Sequence, residues 1–308
     1  GTSRFHRNLP ERNTTMTQII AVKDNTPACG IVTYWSIHGS ADYATTCQAL
    51  ATRAGVGSDA LPPRMSPGKV LSVALEASHT SRGGMTKVMP VKGEPSGTIG
   101  LYRHTGSKNS SDYHCLWCVS ADSDGKLHYK DMAEQHDIFD EELLQDQFDR
   151  LWGTLDSSAV GSWLARIVRS PAINGLGLRA AGGVYFVPPK TKQAWLTIVG
   201  CFPTVSIFQI PAMDGPDAVA AVLAALGEEA TKLAQDTLEI RRKALATEKD
   251  TGKYGPRAST LEKAAAEAEA GLNKIAMYEK LLGTNLEALR KQIADAMIEK
   301  QTADVLTL

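Results

Sequence analysis

The segment His114-Cys115-Leu116-Trp117-Cys118 is the chain's most suggestive cluster of reactive side chains. Two cysteines with two residues between them bind zinc when a knuckle turn aims both at one point. In thioredoxin-like turns the same spacing does thiol–disulfide work. Here the surroundings alternate as a strand, and strand side chains alternate between faces. Cys115 and Cys118 are therefore expected on opposite sides, unable to share a metal, as packed strand cysteines. A structural zinc would also need two further ligands, and the sequence holds no second C-x-x-C. Of the seven histidines, His104, His114 and His128 fall on predicted strands that could be neighbours, and acid–base catalysis would draw on them together with a carboxylate. No G-x-S-x-G elbow and no G-x-x-x-x-G-K-[ST] loop occurs, and Gly175-Leu176-Gly177 lacks the third glycine of a dinucleotide fingerprint. The acidic run from Asp137 to Asp149 lacks calcium-loop spacing and reads as a solvated helix face. The expectation is a chain with no catalytic, metal-binding or cofactor-binding residues and no cofactor.

Composition narrows the class further. The chain has 308 residues, 43% hydrophobic, with a formal net charge of -1, enough for about two domains and a sizeable core. A dedicated non-specific nucleic-acid binder is usually basic throughout, which this chain is not. Five cysteines in a chain of this size argue against a disulfide framework and for a reducing, cytoplasmic setting. No apolar run approaches the ~20 residues of a membrane-spanning helix, so no membrane partner is expected. Residues 1–15 read as a tag remnant or a basic arm.

The elements that must position these side chains follow from periodicity. Gln18–Val22 and Gly30–Ile37 read as strands, Ser40–Arg53 and Pro67–Ser78 as helices. Strands are predicted at Thr86–Val91, Thr98–Arg103, Tyr113–Ser120 and Lys126–Lys130, then an acidic helix over Glu134–Leu151. A helix over Ser157–Arg169 presents Val160, Trp163, Leu164, Ile167 and Val168 on one face. A hairpin follows over Ala181-Gly182-Gly183, with its second strand, Val184–Pro188, apolar on both faces and so expected to be buried on both. Strands are predicted again at Trp195–Val199 and Val205–Ile210. The order of helix followed by paired strands recurs at Pro67–Arg103 and Ser157–Pro188, which could be a diverged repeat. The first unit, with the helix Ser40–Arg53 before it, also has the order of a winged helix-turn-helix.

The last third reads as two long amphipathic helices. The first runs from Asp214 to about Lys249, and the second opens at Ser259-Thr260-Leu261-Glu262, a capping-box pattern. Four-and-three spacing runs through Leu261, Ala265, Ala268, Leu272 and Ile275, then Leu282, Leu286, Leu289 and Ile293, the stripe of a coiled-coil seam, and Leu261, Leu272, Ile275, Leu282, Leu286 and Leu289 are the candidate interface residues. The pattern fails at Glu279, and Gly283-Thr284-Asn285-Leu286-Glu287 marks a restart. The turn between the helices carries a mild basic excess, with Arg241, Arg242, Lys243, Lys253 and Arg257 as candidate nucleic-acid contacts.

Arg179-Ala180-Ala181-Gly182-Gly183-Val184-Tyr185-Phe186-Val187-Pro188 resembles a hairpin in a family of bacterial and phage proteins of unknown activity, and Leu281–Leu289 resembles that family's late segment. The resemblance implies a phage or mobile-element context and supplies no site residues. Taken together, the expected fold is α+β: a mixed helix and antiparallel-strand body carrying a C-terminal long helical hairpin. The expected divisions are 1–15, 16–150, 151–213 and 214–308. The expected function is that of a non-enzymatic structural or interaction protein, working as a homo-oligomer or on a protein partner through its C-terminal helices. Nucleic-acid binding through the winged-helix-like unit or the basic turn is the alternative.

Overall fold

The computed structural model describes residues 28–79, 86–94, 97–104, 113–131, 141–179, 183–249 and 258–298. In chain order the elements are β1 (Ala28–Ile37), β2 (Ala41–Asp42), α1 (Tyr43–Ala54), α2 (Pro67–His79), β3 (Thr86–Pro90), β4 (Ile99–His104), β5 (Tyr113–Ala121), β6 (Leu127–Asp131), α3 (Glu141–Trp152), β7 (Thr154–Leu155), α4 (Ser157–Arg169), β8 (Leu176–Gly177), β9 (Tyr185–Val187), α5 (Pro189–Val199), β10 (Val205–Met213), α6 (Pro216–Lys249), α7 (Ala258–Leu282) and α8 (Glu287–Ile298). The fold is α+β, as expected. The predicted strand Gln18–Val22 and the basic arm lie outside the described residues.

Two antiparallel sheets organise the chain, one in the order β10-β1-β9-β8 and the other β3-β4-β5-β6. The first joins residues distant in sequence: Trp35 pairs with Ile207, and Val32 lies between Ile210 and Phe186. A division at residue 150 therefore runs through this sheet, and the β2–β7 ribbon crosses it as well. Strand alternation sorts the sheet into two faces. Ile31, Trp35, Ile37, Tyr185, Val187 and Ile207 join the cluster formed with α1, α4 and α5. Val32, Phe186 and Ala212 join the cluster formed with α6, α7 and α8. The three residues of β9 are buried on both sides, as their composition predicts. Tyr185 stacks on Trp35 at 5.1 Å, while Phe186 packs against Tyr278 of α7 at 6.1 Å. Gly30 is required beside Phe186, because a Cβ there would meet the ring at 2.5 Å.

Local signals explain most boundaries. Asp42 caps α1 by accepting from the Thr45 N–H at 2.7 Å, and Gly55 ends the helix at φ 64°. Asp156 caps α4 in the same way, accepting from Ala159 at 2.6 Å, and the predicted α4 stripe is the buried face. Residues 195–199, expected as a strand, are instead the last turns of α5. Pro189 occupies the first helical turn, where its missing N–H costs nothing, and Trp195, Ile198 and Val199 are the helix's buried side. The winged-helix reading also fails. Its two helices do not act as a pair: α1 packs against α5, while α2 packs against α3 and the second sheet.

The C-terminal helices close into a bundle. α6, about 51 Å long at 1.5 Å per residue for its 34 residues, runs against both α7 and α8, and α7 runs against α8. The α7 seam is Ala264, Ala268, Gly271, Ile275, Tyr278 and Leu282, again spaced four and three. Small residues in it let α6 approach closely, and a Cβ on Gly271 would strike Leu233. The break is at Gly283, φ 61°, after which Asn285 accepts from the Glu287 N–H at 2.8 Å to start α8. Ser259 lies within α7, whose first described residue is Ala258, rather than capping it.

Phe186 is fully buried at the junction between body and bundle, so Phe186→Ala is expected to cost about 3–5 kcal/mol. Urea unfolding checks this, and a cost under about 1 kcal/mol would show that the bundle does not pack on the sheet.

Candidate functional site

Where the 170–175 turn meets α7, the structure buries a polar cluster that the sequence reading missed. Pro171 ends α4, and Asn174 takes a left-handed φ of 58°, unusual for a residue other than glycine. Asn174 donates from its side chain to the Pro171 carbonyl at 2.7 Å, and its own carbonyl accepts from the Tyr278 hydroxyl at 2.8 Å. One helical turn earlier on α7, the Lys274 ammonium donates to the Gly175 carbonyl at 2.8 Å and to Glu229 of α6 at 2.6 Å. Lys274 is 5% exposed. Burial lowers its pKa below the ordinary lysine value. Glu229 partly opposes that shift, and Arg169 nearby adds to it. Burial likewise pushes the Tyr278 phenol up, with the Glu229 charge adding to it, so the hydroxyl stays a donor. An open cleft of about 310 Å³ lies beside the cluster, lined by Pro171, Asn174, Ala266, Glu269, Asn273 and Lys274.

This arrangement holds elements together. The Lys274 ammonium is engaged by a carboxylate and a carbonyl, so acting as a nucleophile would require breaking both contacts. The signal for it was present in the sequence. Gly271, Lys274, Ile275 and Tyr278 share one helix face at i, i+3, i+4 and i+7, which puts a lysine inside an apolar seam.

The residues predicted as a partner interface are spent largely within the chain. Ile275 and Leu286 are buried in the bundle core, and Leu272, Leu282 and Leu289 pack against it half-buried; Leu261 is half-buried near the start of α7. Glu279, where the pattern failed, is a connector that accepts from the Leu286 N–H at 3.2 Å and pairs with Arg290 at 3.3 Å. Of the basic residues, Arg241 donates to the Ala296 carbonyl at 3.4 Å, Lys243 pairs with Glu239 at 2.5 Å and Arg242 is exposed, whereas Lys253 and Arg257 lie outside the described residues.

The histidines do not converge. His104 meets the Tyr113 ring edge-on at 5.3 Å, and His128 pairs with Asp122 at 3.1 Å on an exposed turn. His114 pairs across with Arg103, while His128 lies opposite Ser120, about 20 Å further along β5 at 3.3 Å per residue. Among the described residues no three His, Cys, Asp or Glu side chains form a metal-ion site, and no helix is long and apolar enough to cross a membrane.

The expectation for the cysteines is overturned. A β-bulge sets Leu101 opposite Trp117 but Tyr102 opposite Cys115, leaving Leu116 as the extra residue. Leu116 and Trp117 then both join Leu101 in one apolar cluster. Cys115 and Cys118 are returned to a common face, their sulphurs 3.6 Å apart.

Fold and site together define an α+β protein with a docked helical bundle. The chain belongs to DUF6744, a family of unknown function whose model matches residues 29–305. No curated protein and no solved structure matches it.

Removing one side of the Lys274 contact leaves the buried Gly175 carbonyl unsatisfied, so Lys274→Met is expected to cost about 2 kcal/mol in urea unfolding. A pH series checks the sign of the lysine's shift. Between its lowered folded value and about 10.4 in the unfolded chain, the unfolded state holds the extra proton, and unfolding free energy rises with pH. Wild type should therefore gain stability relative to Lys274→Met as pH climbs toward about 10. A relative loss would mean that the Glu229 charge outweighs burial.

Proposed function

We propose that this chain is a non-enzymatic interaction protein that assembles with a second copy of itself. The surface used is the part of the first sheet that its own bundle leaves open. The observation that carries this reading is an apolar patch across β1 and β10. Tyr34 stacks on Phe208 at 4.8 Å with the rings 10° from parallel, and Ile210, opposite Val32, is 54% exposed. By strand alternation these side chains share the face on which Phe186 and Ala212 meet the bundle. The bundle covers the part of that face that holds Val32, Phe186 and Ala212. Two antiparallel strands presenting one apolar face are suited to a two-fold partner, since the same patch serves both copies. Large exposed aromatic and aliphatic side chains in contact with each other mark interaction surfaces more often than single exposed residues do.

The C-terminal helices enter this reading as the scaffold that leaves the patch open, with their stripe spent inside the chain. The two strands of the patch come from opposite ends of the body, so the surface exists only in the folded chain. The likeness of the 179–188 and 281–289 segments to bacterial and phage proteins supports a phage or mobile-element setting.

Sedimentation equilibrium over a micromolar concentration series tests the proposal. Wild type should pass from one copy to two with rising concentration, whereas a Tyr34→Lys, Ile210→Lys double variant should stay at one copy with its urea midpoint little changed. Wild type remaining single at the highest concentration would refute self-assembly.

A further inference from the structure

The second sheet contains a dithiol that the bulge creates. On a regular strand Cys115 and Cys118 would be three steps apart, about 10 Å between Cα atoms and on opposite faces. The bulge places them opposite Tyr102 and Gly100, which are two steps apart on β4, about 6.7 Å. That spacing lies at the upper end of the range of about 4.4–6.8 Å over which a disulfide closes. The sulphurs already touch at 3.6 Å. Gly100 makes the room, because a Cβ there would sit 3.1 Å from the Cys115 sulphur and 2.7 Å from the Tyr102 ring.

The two thiols are unequal. Cys115 is half-exposed, donates to the Trp117 carbonyl at 3.3 Å, and is in hydrogen-bond contact with the Tyr102 side chain. Cys118 is buried, flanked by Glu94 and Lys130, which pair with each other at 2.6 Å. Burial, with Cys115 beside it, pushes the Cys118 thiol up to about 12, so it is a poor first attacker.

We propose that Cys115 and Cys118 form a reversible, redox-active pair that closes to an intramolecular disulfide by exchange with low-molecular-weight disulfides. Cys115 loses its proton to solvent, and its thiolate attacks one sulphur of the small disulfide. This forms a mixed disulfide and releases one small thiolate, which takes up a proton. Cys118 then loses its proton and attacks the Cys115 sulphur, forming the protein disulfide and releasing the second small thiol. The protein is oxidised by two electrons and the small disulfide is reduced to two thiols. With Cys115 half-exposed, the bridge stays open to attack by thiols, which makes it reversible.

The test incubates the native full chain with oxidised glutathione, then denatures it and blocks free thiols with N-ethylmaleimide. The tryptic peptide 109–126 holds only these two cysteines and reports the outcome by mass. The expected peptide has lost two hydrogens and carries no maleimide, while Cys29, Cys47 and Cys201 remain labelled, and dithiothreitol restores two labels. Cys118→Ser should stop at a glutathione adduct on Cys115, and Cys115→Ser should leave Cys118 largely unmodified. Two maleimides on the oxidised wild-type peptide, or a stable adduct on wild-type Cys115 without closure, would overturn the proposal. Equal adduct yields from the two single variants would overturn the assigned order of attack.

Discussion

β9 is three residues long, yet most of the structure is arranged so that neither of its faces meets water. Tyr185 and Val187 point into the layer of α1, α4 and α5, and Phe186 points into the bundle. A strand apolar on both sides must be covered on both sides, because exposing either face returns large apolar surface to water at roughly 25 cal/mol per Å². Its sequence neighbours cannot supply both covers. One comes from the helices on either side of it in the chain, the other from residues 216–298. The C-terminal helices are therefore bound to the body by the requirement of a single strand, and Gly30 and Leu176 are small or apolar where they must meet Phe186.

The polar contacts around Lys274 act on the same junction. Burying an ammonium is costly, and its Coulomb partner seldom more than offsets the desolvation. The value of the Lys274–Gly175 and Tyr278–Asn174 contacts lies in geometry: two donors one helical turn apart on α7 meet carbonyls of adjacent residues in the 170–175 turn. A slide of α7 along its axis relative to this turn would break both contacts at once. Apolar burial thus supplies the attraction and these contacts fix the register, which in turn determines how much of the β1/β10 face is left open.

How much of this could be read in advance depended on how local the signal was. α4 was read to the residue because Val160, Trp163, Leu164, Ile167 and Val168 repeat at helical spacing and Pro171 follows. Trp195–Val199 was misread because four apolar residues around one threonine suit a strand or a buried helix equally, and the deciding residue, Pro189, lies six positions earlier. The α7 seam was read through Ala265, Ala268 and Leu272 and drifted by a position at the first and last of these: the inner face runs through Ala264, Ala268 and Gly271, and where alanines and a glycine line a helix, side-chain size does not tell one position from the next. Lys274 was visible as a charge in a seam, but its partners lie 45 and 99 residues away. The cysteine pair was hidden entirely, since the bulge at Leu116 follows from how β4 and β5 register, and no residue in His114–Cys118 announces it. The Tyr34 and Ile210 patch was unreadable for a related reason: what leaves it exposed is where the bundle stops.

The central claim is that the C-terminal stripe is spent inside the chain, binding bundle and body into one cooperative unit. Native-state hydrogen exchange across a denaturant series tests this most directly, because it gives each amide the free energy of the opening that exposes it. The account predicts that amides of α7 from Ala268 to Leu282 and those of β9 exchange through the same global opening, with matching free energies. If α7 exchanged through a sub-global opening several kcal/mol below that of β9, the helices would be an independently opening arm, and the account would be wrong.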